Sequence, residues 1–402
     1  MWLQAMREER ALVSGAFAVQ AVLVGCLFSY GVFVPAIEAE MGWSRTWMSA
    51  CSTFVVILMG GLAFPTGTLV DRFGSLWLLR LAAVLTALGF CVMGTMSEPW
   101  HLMLGYALLV GLALSAHDVG TLSPIAKRFP AHRGVMTGIV KTGTALGQTV
   151  VPAIVAALIL SVGWRNAAFV LALAALVLVM FAAQGVGREA KASVHANANG
   201  PTTGLSLAQA RRTRTLWTFC AVQFGFFPAL MTVPVHLVSH GLELGMGAQQ
   251  AALTLSTIGA FSAVGRLSVG FLFDRLGAKG CLLLCLSVLV FALLALRSIS
   301  EASYLYVFGA AYGFAHGGLF TAVSPSVAAI FGMRSHASLL GIILMCGTVS
   351  GAGLQYMAGV WHDSDGDYSR AFSVIAAMAM LSLLCAATLP KQVLHVESKT
   401  TS

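Results

Sequence analysis

The chain has 402 residues, 58% of them hydrophobic and only 9% charged. Soluble domains carry about a quarter charged residues, so this composition excludes an ordinary soluble domain and points to an integral membrane protein. The net charge of +8 does not mark a nucleic-acid partner either, because its distribution along the chain follows topology.

The chain starts with Arg7-Glu8-Glu9-Arg10 running straight into an apolar stretch. No basic segment, short apolar core and small-residue cleavage site precede it, so the first helix is expected to be retained. Apolar runs of about twenty residues mark spanning helices. Twelve are predicted, at 11–37, 46–70, 76–96, 100–126, 134–160, 165–185, 215–240, 248–273, 279–298, 302–331, 337–361 and 370–389. The expected fold is an all-α polytopic membrane protein, its twelve helices in two pseudo-symmetric six-helix bundles. Residues 1–186 form the first bundle and 215–390 the second. Between them lies a polar linker, 187–214, and a tail follows at 391–402.

The connections alternate in charge. One set carries Arg72, Arg80, Lys127, Arg128, Arg133, Arg188, Lys191, Arg211, Arg212, Arg214, Arg275, Lys279 and Arg334. The other has Arg45, Arg165, Arg297 and Arg370 among acids such as Glu38, Glu40, Glu98, Asp363 and Asp367. The positive-inside rule then puts both termini and the linker in the cytoplasm, with the helices crossing the cell membrane.

Few ionisable or hydroxylated aromatic groups sit deep in the spans. The candidates for function, in chain order, are Tyr30 in the first helix, His117 and Asp118 in the fourth and Lys141 in the fifth. His236 and His240 follow in the seventh, Arg266 in the eighth, and Tyr312 and His316 in the tenth. An intramembrane guanidinium keeps its proton and costs about 2.5–3.5 kcal/mol on insertion scales. Its planar fork of donors suits a carboxylate, which is either a passing substrate or a protein acid such as Asp118. Asp118 and Lys141 are read either as a fixed pair between neighbouring helices or as a titrating acid and a second anion contact. Histidine titrates near neutral pH, so His117 and His236 join Asp118 as candidates for proton coupling. Tyr30 and Tyr312, as hydroxyl donors, are candidates for the substrate pocket beside Arg266. The eight cysteines all fall in apolar segments, with no spacing for a disulfide framework or a zinc site. No HExxH, GxSxG or intramembrane pair of carboxylates occurs, so neither an enzyme nor a cofactor is expected.

The two halves repeat. Gly67-Thr-Leu-Val-Asp71-Arg72-Phe73-Gly74 closes the second predicted helix, and Gly270-Phe-Leu-Phe-Asp274-Arg275-Leu276-Gly277 closes the eighth. Each ends on a glycine suited to a left-handed turn. Two copies in matching places indicate homologous halves. This pattern, in twelve helices around a central loop, resembles the major facilitator superfamily. The resemblance implies alternating access between the bundles, with Asp71, Arg72, Asp274 and Arg275 as a conformational gate.

Shorter segments narrow it. Phe28-Ser-Tyr-Gly-Val-Phe-Val-Pro-Ala-Ile37 with Gly42-Trp43-Ser44-Arg45 is similar to the monocarboxylate transporters and their bacterial oxalate/formate relatives. So are Lys127-Arg-Phe-Pro-Ala-His-Arg133-Gly134, Gly163-Trp164-Arg165, Gly313-Phe-Ala-His316-Gly317 and Asp365-Gly366-Asp367-Tyr368. In that family an arginine of the eighth helix binds the substrate carboxylate, and Arg266 falls on that position. Through the same resemblance Lys141 and His316 join the candidates for the substrate pocket. The resemblance implies a small organic anion as substrate, a proton as coupling ion, the lipid bilayer as setting and a functional monomer. An oxalate/formate-type antiporter or dicarboxylate carrier is the alternative. Two departures stand out. The acid that animal relatives carry one turn before the arginine is Ser262 here, and the first helix has no lysine.

Overall fold

A computed structural model describes residues 2–196, 204–297, 299 and 301–390. The predicted tail 391–402 and linker residues 197–203 lie outside the described residues. The described chain is helical almost throughout. In chain order the long helices are α1 (Arg10–Met41), α2 (Arg45–Gly61 continuing as Ala63–Phe73), α3 (Ser75–Thr95), α4 (Pro99–Arg128), α5 (133–162) and α6 (164–196). Then come α7 (Arg214–Glu243), α8 (248–276), α9 (278–296), α10 (Tyr304–Phe331), α11 (His336–Asp365) and α12 (Ser369–Ala387).

The division of α5 from α6 and of α8 from α9 rests on backbone geometry. Arg133–Gly187 is one apolar stretch of 55 residues. At 1.5 Å per residue it would reach about 80 Å, more than twice a hydrocarbon core of about 30 Å. It breaks at Gly163, where φ is 79°, and the run Ala248–Leu296 breaks at Gly277, where φ is 70°. With the bent pair of α2, whose halves meet at 43°, the described residues supply the twelve expected membrane crossings.

The repeat is visible in the backbone. Gly74 (φ 81°, ψ 172°) and Gly277 (φ 70°, ψ −179°) close the two motif copies in the same conformation. Positive φ was expected. The extended ψ was not: it belongs to a region open essentially to glycine alone, outside the left-handed helical one.

Two compact units emerge. Unit 1 comprises Met1–Phe129 and Met136–Ala196, and unit 2 comprises Pro130–Val135 and Asn197–Ser402. Two local departures from the predicted boundaries have simple causes. The sixth helix runs on to Ala196, through a segment whose Ala, Glu and Lys content favours helix. The second part of the linker is tied down within unit 2: Leu205 N donates to Phe331 O at 2.9 Å and Leu207 N to Ser335 Oγ at 3.1 Å. Ser206 and Gln209 then form a capping box that starts a short helix.

Candidate functional site

In unit 1, α4 is irregular on the approach to its polar residues. Met103–Val110 is wound as a π-helix, and a turn at Ser115–Ala116 follows before the helix resumes at His117. Such insertions shift the register of a helix and often mark functional sites. Immediately after the turn, the Asp118 carboxylate meets α5 and α1. Lys141 Nζ donates to Asp118 Oδ1 at 2.7 Å, and Gln20 Nε2 donates to the same oxygen at 2.9 Å. Gln20 also donates to Thr121 Oγ1 at 2.8 Å and accepts from Thr144 Oγ1 at 2.9 Å. His117 holds the Leu114 carbonyl through Nδ1 at 2.6 Å, and its Nε2 lies 3.5 Å from Asp118 Oδ1. Lys141 is only 2% exposed and Gln20 is fully buried. Sequence reasoning paired Asp118 with Lys141 but missed Gln20, Thr121 and Thr144. The signal for Gln20 was present, as an amide midway along an apolar run.

In unit 2, a second polar chain links α8 to α10. Arg266 is the bulkiest of the fully buried side chains, at 2% exposure. Its Nε donates to Ser262 Oγ at 3.4 Å, and Ser262 Oγ lies 3.0 Å from His316 Nδ1. The helices approach closely at this level because Gly317 has no side chain. A Cβ there would collide with the Ser262 carbonyl. Aromatic rings enclose the polar atoms: the guanidinium carbon lies 5.5 Å from the centre of the Phe320 ring, and Phe320 and Tyr312 flank His316 at 4.9 and 5.8 Å. That geometry is within reach of a cation–π contact. A buried guanidinium beside a hydroxyl and an imidazole can bind an anion and hold a proton near it.

The remaining candidates are elsewhere. Tyr30 OH donates to Met48 O at 2.9 Å, its ring stacked on Tyr106 at 4.0 Å. Tyr312 OH donates to Ala229 O at 2.8 Å, tying α10 to α7. His236 stands 5.1 Å from the Tyr368 ring, in a group with His240, His362 and Glu243 at the far end of α7. Of the gate residues, Asp274 accepts from Gly134 N at 3.1 Å within unit 2, while Arg275 is exposed. In unit 1, Asp71 is half-buried and Arg72 exposed. Among the described residues no group of three or more His, Cys, Asp or Glu is arranged to hold a metal.

Comparison with known proteins fits this architecture. The model of the Major Facilitator Superfamily matches residues 16–352, with a second match over 243–401. Monocarboxylate transporter 13 of Bos taurus is 27% identical over 389 residues, covering 94% of this chain and 88% of the relative. Monocarboxylate transporter 11 of Homo sapiens is 24% identical over 383 residues, covering 92% and 80%. The solved structure of a proton:xylose symporter, XylE, superposes with a TM-score of 0.72 at 16% identity, covering 94% of this chain and 96% of that one. The expectation of a bacterial branch is not borne out, since these curated relatives and similar ones from rat, mouse and filamentous fungi are eukaryotic. The chain belongs to the major facilitator superfamily: it is a multi-pass membrane transporter and not an enzyme.

Proposed function

We propose that this superfamily member carries small organic monocarboxylates of the lactate or pyruvate kind across the cell membrane by alternating access, coupled to a proton. Its termini face the cytoplasm, and it works as a monomer. The observation that carries this reading is Arg266, a guanidinium at 2% exposure in an apolar helix. Such a charge is costly in a membrane, and intramembrane ions as a rule mark substrate or ion paths. Similarity to proteins named monocarboxylate transporters over more than nine-tenths of the chain supports a carboxylate as its ligand. Tyr312 and His316, whose rings lie 5.8 Å apart on α10, are further pocket candidates, as is Tyr30 in unit 1. Asp118, His117 and His236 are the proton-coupling candidates that the sequence supplies. Asp71, Arg72, Asp274 and Arg275 are the gate.

The oxalate/formate type of antiport, or dicarboxylate transport, needs a second cation. Lys141 is the only candidate that the sequence offers, and its ammonium already bonds Asp118 at 2.7 Å. A second carboxylate would have to displace Asp118, so the monocarboxylate reading is favoured. Purified protein screened by thermal shift against a carboxylate panel tests it, because a ligand stabilises the form that it binds. At 100 times Kd the stabilisation is about 2.7 kcal/mol. The shift should vanish in Arg266→Gln and shrink in Arg266→Lys, which keeps charge but loses the fork. If both variants bind and transport every carboxylate as wild type does, Arg266 is not the substrate residue.

A further inference from the structure

We infer that His316 is the proton-binding group coupled to the anion on Arg266, with Ser262 as the positioning residue that joins them. The inference rests on the reading of Arg266 as the carboxylate anchor. It follows from the two contacts at Ser262 Oγ, from Arg266 Nε at 3.4 Å and His316 Nδ1 at 3.0 Å. A guanidinium has donors only, so Ser262 accepts from it. A hydroxyl oxygen has two acceptor sites and one hydrogen. With a neutral His316 ring, that hydrogen is available to an unprotonated Nδ1. Once Nδ1 carries a proton, the same oxygen accepts from both cations, and the Ser262 hydrogen turns to the carbonyl one turn back, as helix serines do. The site therefore satisfies either protonation state without moving a helix, and the close approach at Gly317 fixes the spacing.

The consequence is linkage. An anion seated on Arg266 makes the potential at His316 more negative, whatever else surrounds it. Protonation and anion binding then favour each other, and by the same factor in each direction. An acid at position 262 would neutralise the arginine and take the proton itself. A serine transmits the coupling and leaves the proton to the imidazole. The elements packed on α10 bring the following groups to it. From α8 there is Arg266, and on α10 itself Tyr312, whose hydroxyl is committed to Ala229 O. From α7 comes Phe227, packed on Phe320 at 5.9 Å. From α9 comes Cys285, close to α10 at Gly318. From α11 comes His336, bonded to the Ser324 carbonyl two turns along at 3.0 Å.

The test is calorimetric titration of the purified full chain with L-lactate and with pyruvate. Both are ionised throughout the working range, which is pH 5.5 to 8.0. Wild type should bind about tenfold more tightly at the acid end, within the usual 5–150-fold range of coupling. At pH 7, titration in two buffers of different ionisation enthalpy should show protons taken up with the anion. His316→Gln should lose both the pH dependence of its affinity and the proton uptake, whatever its affinity at pH 8.0. Ser262→Ala should still bind the anion and take up fewer protons at pH 7, because the oxygen that joins the imidazolium to Arg266 is gone. No uptake in wild type, or uptake unchanged in His316→Gln, overturns the inference and leaves the carboxylate reading standing; uptake unchanged in Ser262→Ala overturns the part given to Ser262. Binding of neither probe by wild type, or wild-type binding by Arg266→Gln, overturns the carboxylate reading and this inference with it.

Discussion

Asp118 and Lys141 are two charges that a membrane core makes costly to separate. Breaking a buried pair by removing one partner costs about 3–5 kcal/mol, because the other charge is left uncompensated. The hydrogen bond from Gln20 to Asp118 belongs to a weaker class, about 0.6 kcal/mol between membrane helices. The charge pair should therefore dominate stability at this point. Asp118→Asn and Lys141→Gln are each expected to lower the thermal midpoint clearly, and the double variant to recover most of the loss. A double variant as unstable as the sum of the singles would mean that the two charges act independently. The same double variant weighs the two readings that the sequence left open. Retained pH-dependent uptake marks the pair as a structural tie between α4 and α5, and lost pH dependence marks Asp118 as a titrating group. Individual residues were legible in the sequence where charge made them conspicuous, as with Arg266, Asp118 and Lys141. Ser262 stood out only as a departure from a family pattern. Its bridging role needed the distance to His316, which nothing in the spacing of two separate helices can supply.

At the scale of elements, the apolar runs foretold the helices, and the repeated motif foretold a positive φ at both closing glycines but not their extended ψ. Gly74 and Gly277 share a backbone conformation closed to other residues, with φ of 81° and 70°. Nothing lies within 4 Å of a Cβ built at Gly277, so a substitution there meets no steric clash and reports the backbone alone. Gly277→Ala should cost about 1–3 kcal/mol, the usual penalty for a residue held in a sparsely populated region. The check is a lowered thermal midpoint with substrate affinity unchanged. An alanine tolerated without loss would show that the turn relaxes to an ordinary helix end. The π-helical stretch of α4 was not legible. Met103–Val110 is uniformly apolar and reads as plain helix. Whether its amides reach back four or five residues depends on what packs around it, and a linear pattern does not encode that. The run of α6 past its predicted end was hidden differently, because polarity was read as linker although the same residues favour helix.

At the scale of the molecule, the sequence carries its topology as charge. Basic residues gather in alternate connections, and on the positive-inside rule that asymmetry alone orients the chain. The linker after residue 203 bears Arg211, Arg212 and Arg214 without an acid, whereas the connection between α9 and α10 holds Glu301 beside Arg297. The first should lie in the cytoplasm and the second outside. Arg212 and Glu301 are both exposed, so a cysteine at either position is open to a reagent on its own side. A membrane-impermeant maleimide on a polyethylene glycol chain is expected to shift Glu301→Cys on a gel in intact cells. It should shift Arg212→Cys only after lysis. The parent protein sets the background, since its eight cysteines all lie in apolar segments. The reverse pattern would invert the chain in the membrane. With alternating access the Arg266 site opens to each side in turn, so the proton gradient and not this orientation sets the net direction of transport.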